Sequence, residues 1–211
     1  MLTPSDMPLR HSVEAVAIRL LWPLVLTRGP RGSVYLTFDD GPHSECTPLI
    51  LDVLDSHRVK ATFFMIGSLI DKHRALAAEV VARGHTVGYH SYQHVHRGAH
   101  TIGSAIRDLE TIRRFPGLLR TSIRHYRPPY GELSIIRILW CLVHGVRVAM
   151  WSLDSQDSTI NRADELAQRV SPETVRDGDV ILFHDDTRVT VEALPLILKN
   201  LKSAEFSFAA L

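Results

Sequence analysis

Cysteine, net charge and long uncharged apolar runs are all scarce in this chain, and each scarcity closes off a class of protein. Of 211 residues only two are cysteine, Cys46 and Cys141. They lie far apart in stretches that read as helical, which leaves neither a disulfide framework nor a thiolate metal pair, so both read as ordinary buried thiols. Lys and Arg number 24 against 23 Asp and Glu, a net charge of +1. That balance argues against a nucleic-acid partner, whose phosphates select a basic surface. The apolar stretch from Val13 to Leu26 is broken by Glu14, Arg19 and Pro23, far short of the roughly 20 residues that span a bilayer. Asp6 ahead of it, Arg19 within it and the lack of a small-x-small site after it fit a signal peptide poorly. Residues 1–30 therefore read as an N-terminal apolar helix and connector packed on the domain. Leu20, Leu21 and Trp22 beside Arg19 also permit peripheral membrane contact. On this reading the chain is expected in the cytoplasm, or against the inner face of the cell membrane.

What the chain does contain is a packable core and an unusual supply of histidine. With 45% apolar and 22% charged residues, it is expected to form a single compact domain. From Val34 onward, short β-rich runs alternate with longer amphipathic segments, the pattern of βα units around a parallel sheet. Strands are expected at Val34–Phe38, Ala61–Ile66, Thr86–Tyr89, Ser122–Tyr126, Val146–Trp151, Val180–Phe183 and, weakly, Phe206–Ala209. Helices are expected near Thr47–Ser56, Ile70–Arg83, Ile102–Arg114, Ser134–His144, Ala163–Val170 and Val189–Leu201. Seven strands with helices between them suit an α/β fold, a distorted (β/α) barrel, better than a short open sheet.

Polar clusters fall just after the strands. In the run TFDDGP, Asp39 and Asp40 close the first strand, where two bare acids would repel unless a cation or a base role divides their duties. The plainer reading is a turn and helix cap. His90 and His94 follow the third strand, four residues apart, so one helical turn would aim both imidazoles the same way. With a strand-end Asp they would form a donor set suited to zinc or another divalent ion. His96 and His100 fall outside that register and read as surface residues. Arg127, Pro128, Pro129 and Tyr130 follow the fourth strand, Asp154 and Asp157 the fifth, and His184 and Asp185 the sixth. In a parallel barrel these ends converge on one face, which favours catalysis over a merely structural role.

These motifs, TFDDGP at Thr37, HSYQH at His90, RPPYG at Arg127, DSQD at Asp154 and ILFHD at Ile181, occur in the order found in polysaccharide deacetylases. The chain resembles the NodB-homology type, carbohydrate esterase family 4, from about Val34 to its end. The resemblance implies a NodB-like barrel over residues 31–211 that removes the acetyl group from an N-acetylated amino sugar with the help of a divalent metal, zinc foremost, with cobalt or nickel as alternatives. It further implies that Asp40, His90 and His94 hold the metal and that Asp39 is the general base, oriented by Arg127. The backbone N–H of Tyr130 would stabilise the oxyanion, and His184 would be the general acid, tuned by Asp154. Leu182 would line a methyl-sized pocket.

The chain departs from the family pattern at Ser158, where a Trp usually follows the second Asp, and at Tyr89 and Val95 beside the two histidines. With only three Trp, no platform for a long glycan is evident, and a small or lipid-linked saccharide fits better. A deformylase or amidase, an O-acetyl esterase, and a non-catalytic carbohydrate-binding barrel are the competing readings.

Overall fold

The structure, a computed structural model, describes residues 13–96, 98 and 101–211. Seven parallel strands form one sheet: β1 (Tyr35–Gly41), β2 (Thr62–Met65), β3 (Thr86–Tyr89), β4 (His125–Tyr126), β5 (Arg147–Val148), β6 (Leu153–Asp154) and β7 (Val180–His184). Their spatial order is β5-β4-β3-β2-β1-β7-β6. Nine helices surround it among the described residues: α1 (Val13–Leu21), α2 (Cys46–Ser56), α3 (Gly67–Lys72), α4 (Arg74–Ala82), α5 (Ile102–Glu110), α6 (Phe115–Leu119), α7 (Ile135–Val143), α8 (Ala163–Arg169) and α9 (Arg188–Ser203).

The short link between β5 and β6 forces the sheet to curl. These two strands occupy opposite edges, yet only residues 149–152 separate them. A flat sheet of this width spans about 29 Å at the usual strand spacing, whereas the link reaches at most about 18 Å fully extended. The sheet is accordingly bent into a half-barrel. Its central strands β1 and β7 are buried along nearly their whole length, as strands covered on both faces are. Phe38 stacks on Phe63 and Phe183 within the barrel, with ring centroids 5.0 and 5.6 Å apart.

Three expected elements come out differently. Val146–Trp151 is not one strand but the tail of one edge and the approach to the other. Phe206–Ala209 is not a strand: it contributes a single bridge, Val34 to Phe208. Both sides of β1 are already taken by β2 and β7, so this segment can reach only the residue before β1 begins. The Ile70–Arg83 helix divides at His73, whose φ of −121° and ψ of 48° are not helical.

At the N-terminus, residues 1–12 lie outside the described part. Ile18 of α1 is buried in the core, and Leu26 makes a parallel bridge to Ala149, its N–H donating to the Val148 carbonyl at 2.9 Å. No helix among the described residues is long and apolar enough to cross a membrane.

Candidate active site

Adjacent residues of a regular strand point to opposite faces, so Asp39 and Asp40 can share a site only if β1 breaks its pleat. It does so through a bulge: the β1–β2 register slips between Asp39 and Gly41, and Asp40 takes a φ of 73°. Both carboxylates then line one cleft. Gly41 admits Asp185 to close approach, since a Cβ there would lie 2.0 Å from Asp185 Oδ2.

His90 and His94 join them, but not by a helical turn. Residues 90–94 form an irregular loop in which Ser91 and His94 have φ of 68° and 49°. The buried Asp108 of α5 holds that loop. Its Oδ1 accepts from the Tyr92 N–H at 2.7 Å and from Ser91 Oγ at 3.2 Å. The result is the donor convergence expected from sequence: His94 Nε2 and His90 Nε2 lie 3.1 and 3.4 Å from Asp40 Oδ1.

These residues fit a divalent cation on five observations. The His90 Nδ1–H donates to the Arg127 carbonyl at 2.7 Å, so in the neutral ring Nε2 presents a lone pair to the cleft. Asp40 Oδ1 is shielded from solvent yet has no hydrogen-bond donor, an arrangement that is costly unless a cation faces it. Burial alone would raise the Asp40 carboxyl, but His90, His94 and His184 around it hold it below its ordinary value. Burial keeps the His94 imidazole below its ordinary value against the pull of Asp40, favouring the neutral form that ligates. One donor atom from each of Asp40, His90 and His94 fits within 4.8 Å of the others.

Arg127 lies wholly inside the protein and every nitrogen has a partner. Nη1 donates to Asp39 Oδ1 at 2.7 Å and to Thr37 Oγ1 at 2.8 Å, Nη2 to the Met150 carbonyl at 2.8 Å, and Nε to the Ala149 carbonyl at 3.1 Å. The guanidinium also sits 4.0 Å over the Phe64 ring. Asp39 is thereby fixed beside the metal donors by a cation that has no other mobile partner. The 149–152 link that curls the sheet supplies two of these acceptors, so fold closure and site geometry are one feature.

On the opposite wall, His184 at the end of β7 is tuned by Asp157, not by Asp154. His184 Nδ1 donates to Asp157 Oδ1 at 2.7 Å, while Asp157 Oδ2 accepts the His184 N–H at 2.7 Å and Thr190 Oγ1 at 2.5 Å. Asp154 instead accepts the Gln156 N–H at 2.8 Å, closing a local turn that carries the chain back toward His184. The role expected for Asp154 therefore falls to the other acid of the same motif. Burial alone would lower the His184 imidazole, but the hydrogen bond and charge of Asp157, with Asp39 and Asp40 beyond, push it up to about 9.

The remaining walls complete a cleft of about 510 Å³. Trp151 and Leu182 form its apolar part, as expected for Leu182, and Ser158 lines it where the family pattern carries Trp. Tyr130 is half-exposed at the rim with a φ of 55°, its ring stacked on His96 at 3.7 Å. Among the described residues the Tyr130 N–H has no acceptor. His96 is exposed, as expected, and His100 lies outside the described residues. Sequence reasoning missed Asp108 and Asp186, which have no local signature, and gave Thr37 no role although it opens the TFDDGP run. Asp185, placed from sequence at a strand end without a role of its own, is fully buried, accepts Thr47 Oγ1 at 2.7 Å and is held well above the carboxylate range by burial.

A cation site flanked by an arginine-paired carboxylate on one side and a raised histidine on the other is the equipment of metal-assisted hydrolases. Residues 27–138 match the family model described as polysaccharide deacetylase, and the chain belongs to that family. It is 33% identical over 190 residues to a peptidoglycan-N-acetylglucosamine deacetylase of Bacillus cereus, covering 86% of this chain and 67% of that protein. It is 37% identical over 155 residues to a chitooligosaccharide deacetylase of Sinorhizobium fredii, covering 72% of each. A crystal structure of a peptidoglycan N-acetylglucosamine deacetylase superposes with a TM-score of 0.86 at 30% identity, covering 92% of this chain and 95% of that one.

Proposed function

We propose that this protein hydrolyses the N-acetyl group of an amino sugar, releasing acetate and a free amine, with zinc as the resident ion. The observation that carries the reading is the buried, donorless Asp40 oxygen facing His90 and His94, with a base and an acid on either side. When bound, the metal supplies a Lewis acid that polarises the acetyl carbonyl and acidifies water. Asp39, oriented by Arg127, takes the proton of the attacking water as the new carbon–oxygen bond forms. The Tyr130 N–H faces the charge that develops on the carbonyl oxygen. His184 gives its Nε2 proton to the amide nitrogen as the carbon–nitrogen bond breaks, because an amine leaves poorly as an anion. Trp151 and Leu182 take the acetyl methyl. The peptidoglycan and chitooligosaccharide deacetylases among the relatives support an N-acetylglucosamine-type substrate. A single exposed aromatic face at the rim supports a short saccharide, free or lipid-linked.

The test is metal content of the purified protein together with acetate release from N-acetylglucosamine oligomers, before and after chelation. Release that is lost on chelation and restored by zinc is the expected result. Release from an O-acetylated or formylated substrate alone would overturn the N-acetyl assignment, and release indifferent to chelation would overturn the metal's part.

The Asp157–His184 pair gives this chemistry a pH signature. The acid form of His184 is required, so kcat falls as pH rises through the His184 pKa. A cation held by Asp40, His90 and His94 would offset part of the Asp39 and Asp40 charge that raises the imidazole, so the limb is expected at or below about 9. Asp157→Asn removes the charge that raises the imidazole, and the limb is expected to move down by about 1–3 pH units. A kcat–pH profile of both proteins at matched metal content checks it; an unmoved limb would mean that His184 is not the titrating acid.

A further inference from the structure

Away from the cleft, six of the ten large hydrophobic side chains exposed among the described residues lie at one sheet edge. Val16 and Leu20 of α1, Leu24 in the turn after it, and Leu139, Leu142 and Val143 of α7 are all exposed, Leu20 and Val143 to 77% and 79%. Val16 and Leu20 stand one helical turn apart, as do Leu139, Leu142 and Val143, so each helix carries an outward stripe in addition to its buried one. The two helices pack on each other. Leu24 and Leu142 line a common groove of about 280 Å³ beside the edge strand β5. Six aliphatic side chains on adjoining elements are more than scattered surface apolar residues would give.

The charge around this face is one-sided. Residues 15–34 and 133–153 contain no Asp or Glu, although the chain holds 23 of them. Arg19 and Arg147 are exposed at the face, and Arg124, whose carbonyl accepts the Arg147 N–H at 2.8 Å, is exposed beside it. Glu14, the acid of α1, lines a separate crevice with Ser134 and Arg137.

We infer that this two-helix face docks on an anionic lipid surface, its leucines and valines entering the interface and its arginines meeting the headgroups. Aliphatic residues with a cationic rim and the half-buried Trp22 directly after α1 are the composition of such a surface. A second copy fits it poorly. A two-fold contact would set this arginine-rimmed face against itself, and among the described residues neither 15–34 nor 133–153 offers an acid to pair with Arg19, Arg124 or Arg147. The inference stands apart from the deacetylase reading, and its test needs no activity.

Full-length protein is mixed with vesicles of phosphatidylcholine, and of phosphatidylcholine with phosphatidylglycerol, and the bound fraction is read by co-sedimentation. Binding to the anionic vesicles, weakened by salt, is expected. The double variant Leu20→Asp/Leu142→Asp is expected to lose at least about 10-fold in binding, with an unchanged thermal unfolding midpoint because both side chains are exposed. Arg19→Glu/Arg147→Glu is expected to abolish the preference for anionic vesicles while keeping the fold. No binding to either vesicle, or equal binding to both, overturns the inference. So does sedimentation velocity showing a dimer that the leucine variant dissolves, which would assign the face to a second copy.

Discussion

His184→Ala is expected to lower kcat on an N-acetylated oligosaccharide by roughly 10²–10⁴-fold, the usual worth of a general acid, and to leave the metal content unchanged. The two halves of this result have separate causes. His184 Nε2 lies 4.0 Å from Asp40 Oδ2 and outside the donor set of Asp40, His90 and His94, so its removal takes away a proton source and no ligand. The fold should tolerate the change, because Asp157 keeps the backbone N–H of residue 184 and the Thr190 hydroxyl as donors. An O-acetyl ester gives a further discrimination. Its alkoxide leaving group needs protonation less than an amine does, so the same substitution should slow ester hydrolysis less. Equal losses on amide and ester would move the acid role elsewhere, and loss of metal would place His184 in the ligand set.

The contrast between His184 and its partner shows what a sequence can and cannot carry. The strand ends are legible because hydrophobic runs set the strands, and a parallel sheet gathers their C-terminal ends on one side. That argument places Asp39, Asp40, His90, Arg127 and His184 without any knowledge of side-chain direction. Choosing between Asp154 and Asp157 requires the turn between them, and that depends on the Gln156 N–H closing onto Asp154 and on a φ of 62° at Gln156. Spacing was equally ambiguous at His90 and His94. A four-residue interval suggested a helical turn, whereas two left-handed residues and the Asp108 clamp produce the same convergence from a loop. Thr37 and Asp108 act through contacts 90 and 16 residues away in sequence, and no local pattern announces such partners. The seventh strand was misplaced for a related reason. Leu153 and Asp154, which pair at the far edge, follow β5 after only residues 149–152, so they are hidden behind the single apolar run Val146–Trp151, whereas the equally short β4 and β5 each lie within a β-rich run of their own.

Arg127→Ala is expected to damage stability and activity together, and the two can be pulled apart. Removing one partner of a buried ion pair costs about 3–5 kcal/mol because the other charge is left uncompensated. For a domain of this size that is a fall of about 6–20 °C in unfolding temperature. The loss is larger than the Asp39 pair alone would give, since Thr37 Oγ1 and the Ala149 and Met150 carbonyls lose donors at the same time. Arg127→Lys retains the charge but has a single ammonium in place of a planar fork, and it should recover stability only in part. If the main penalty is the bare Asp39 carboxylate, adding Asp39→Asn to Arg127→Ala should return stability, giving a coupling within the 0.5–3 kcal/mol typical of contacting groups. Activity should stay lost in that double variant, because the base has gone with the charge. Thermal unfolding and kcat measured on the four proteins of this cycle separate the roles. Additive stability losses would show that Arg127 serves the 149–152 link and not Asp39. Full activity in Asp39→Asn would remove the base from the mechanism altogether.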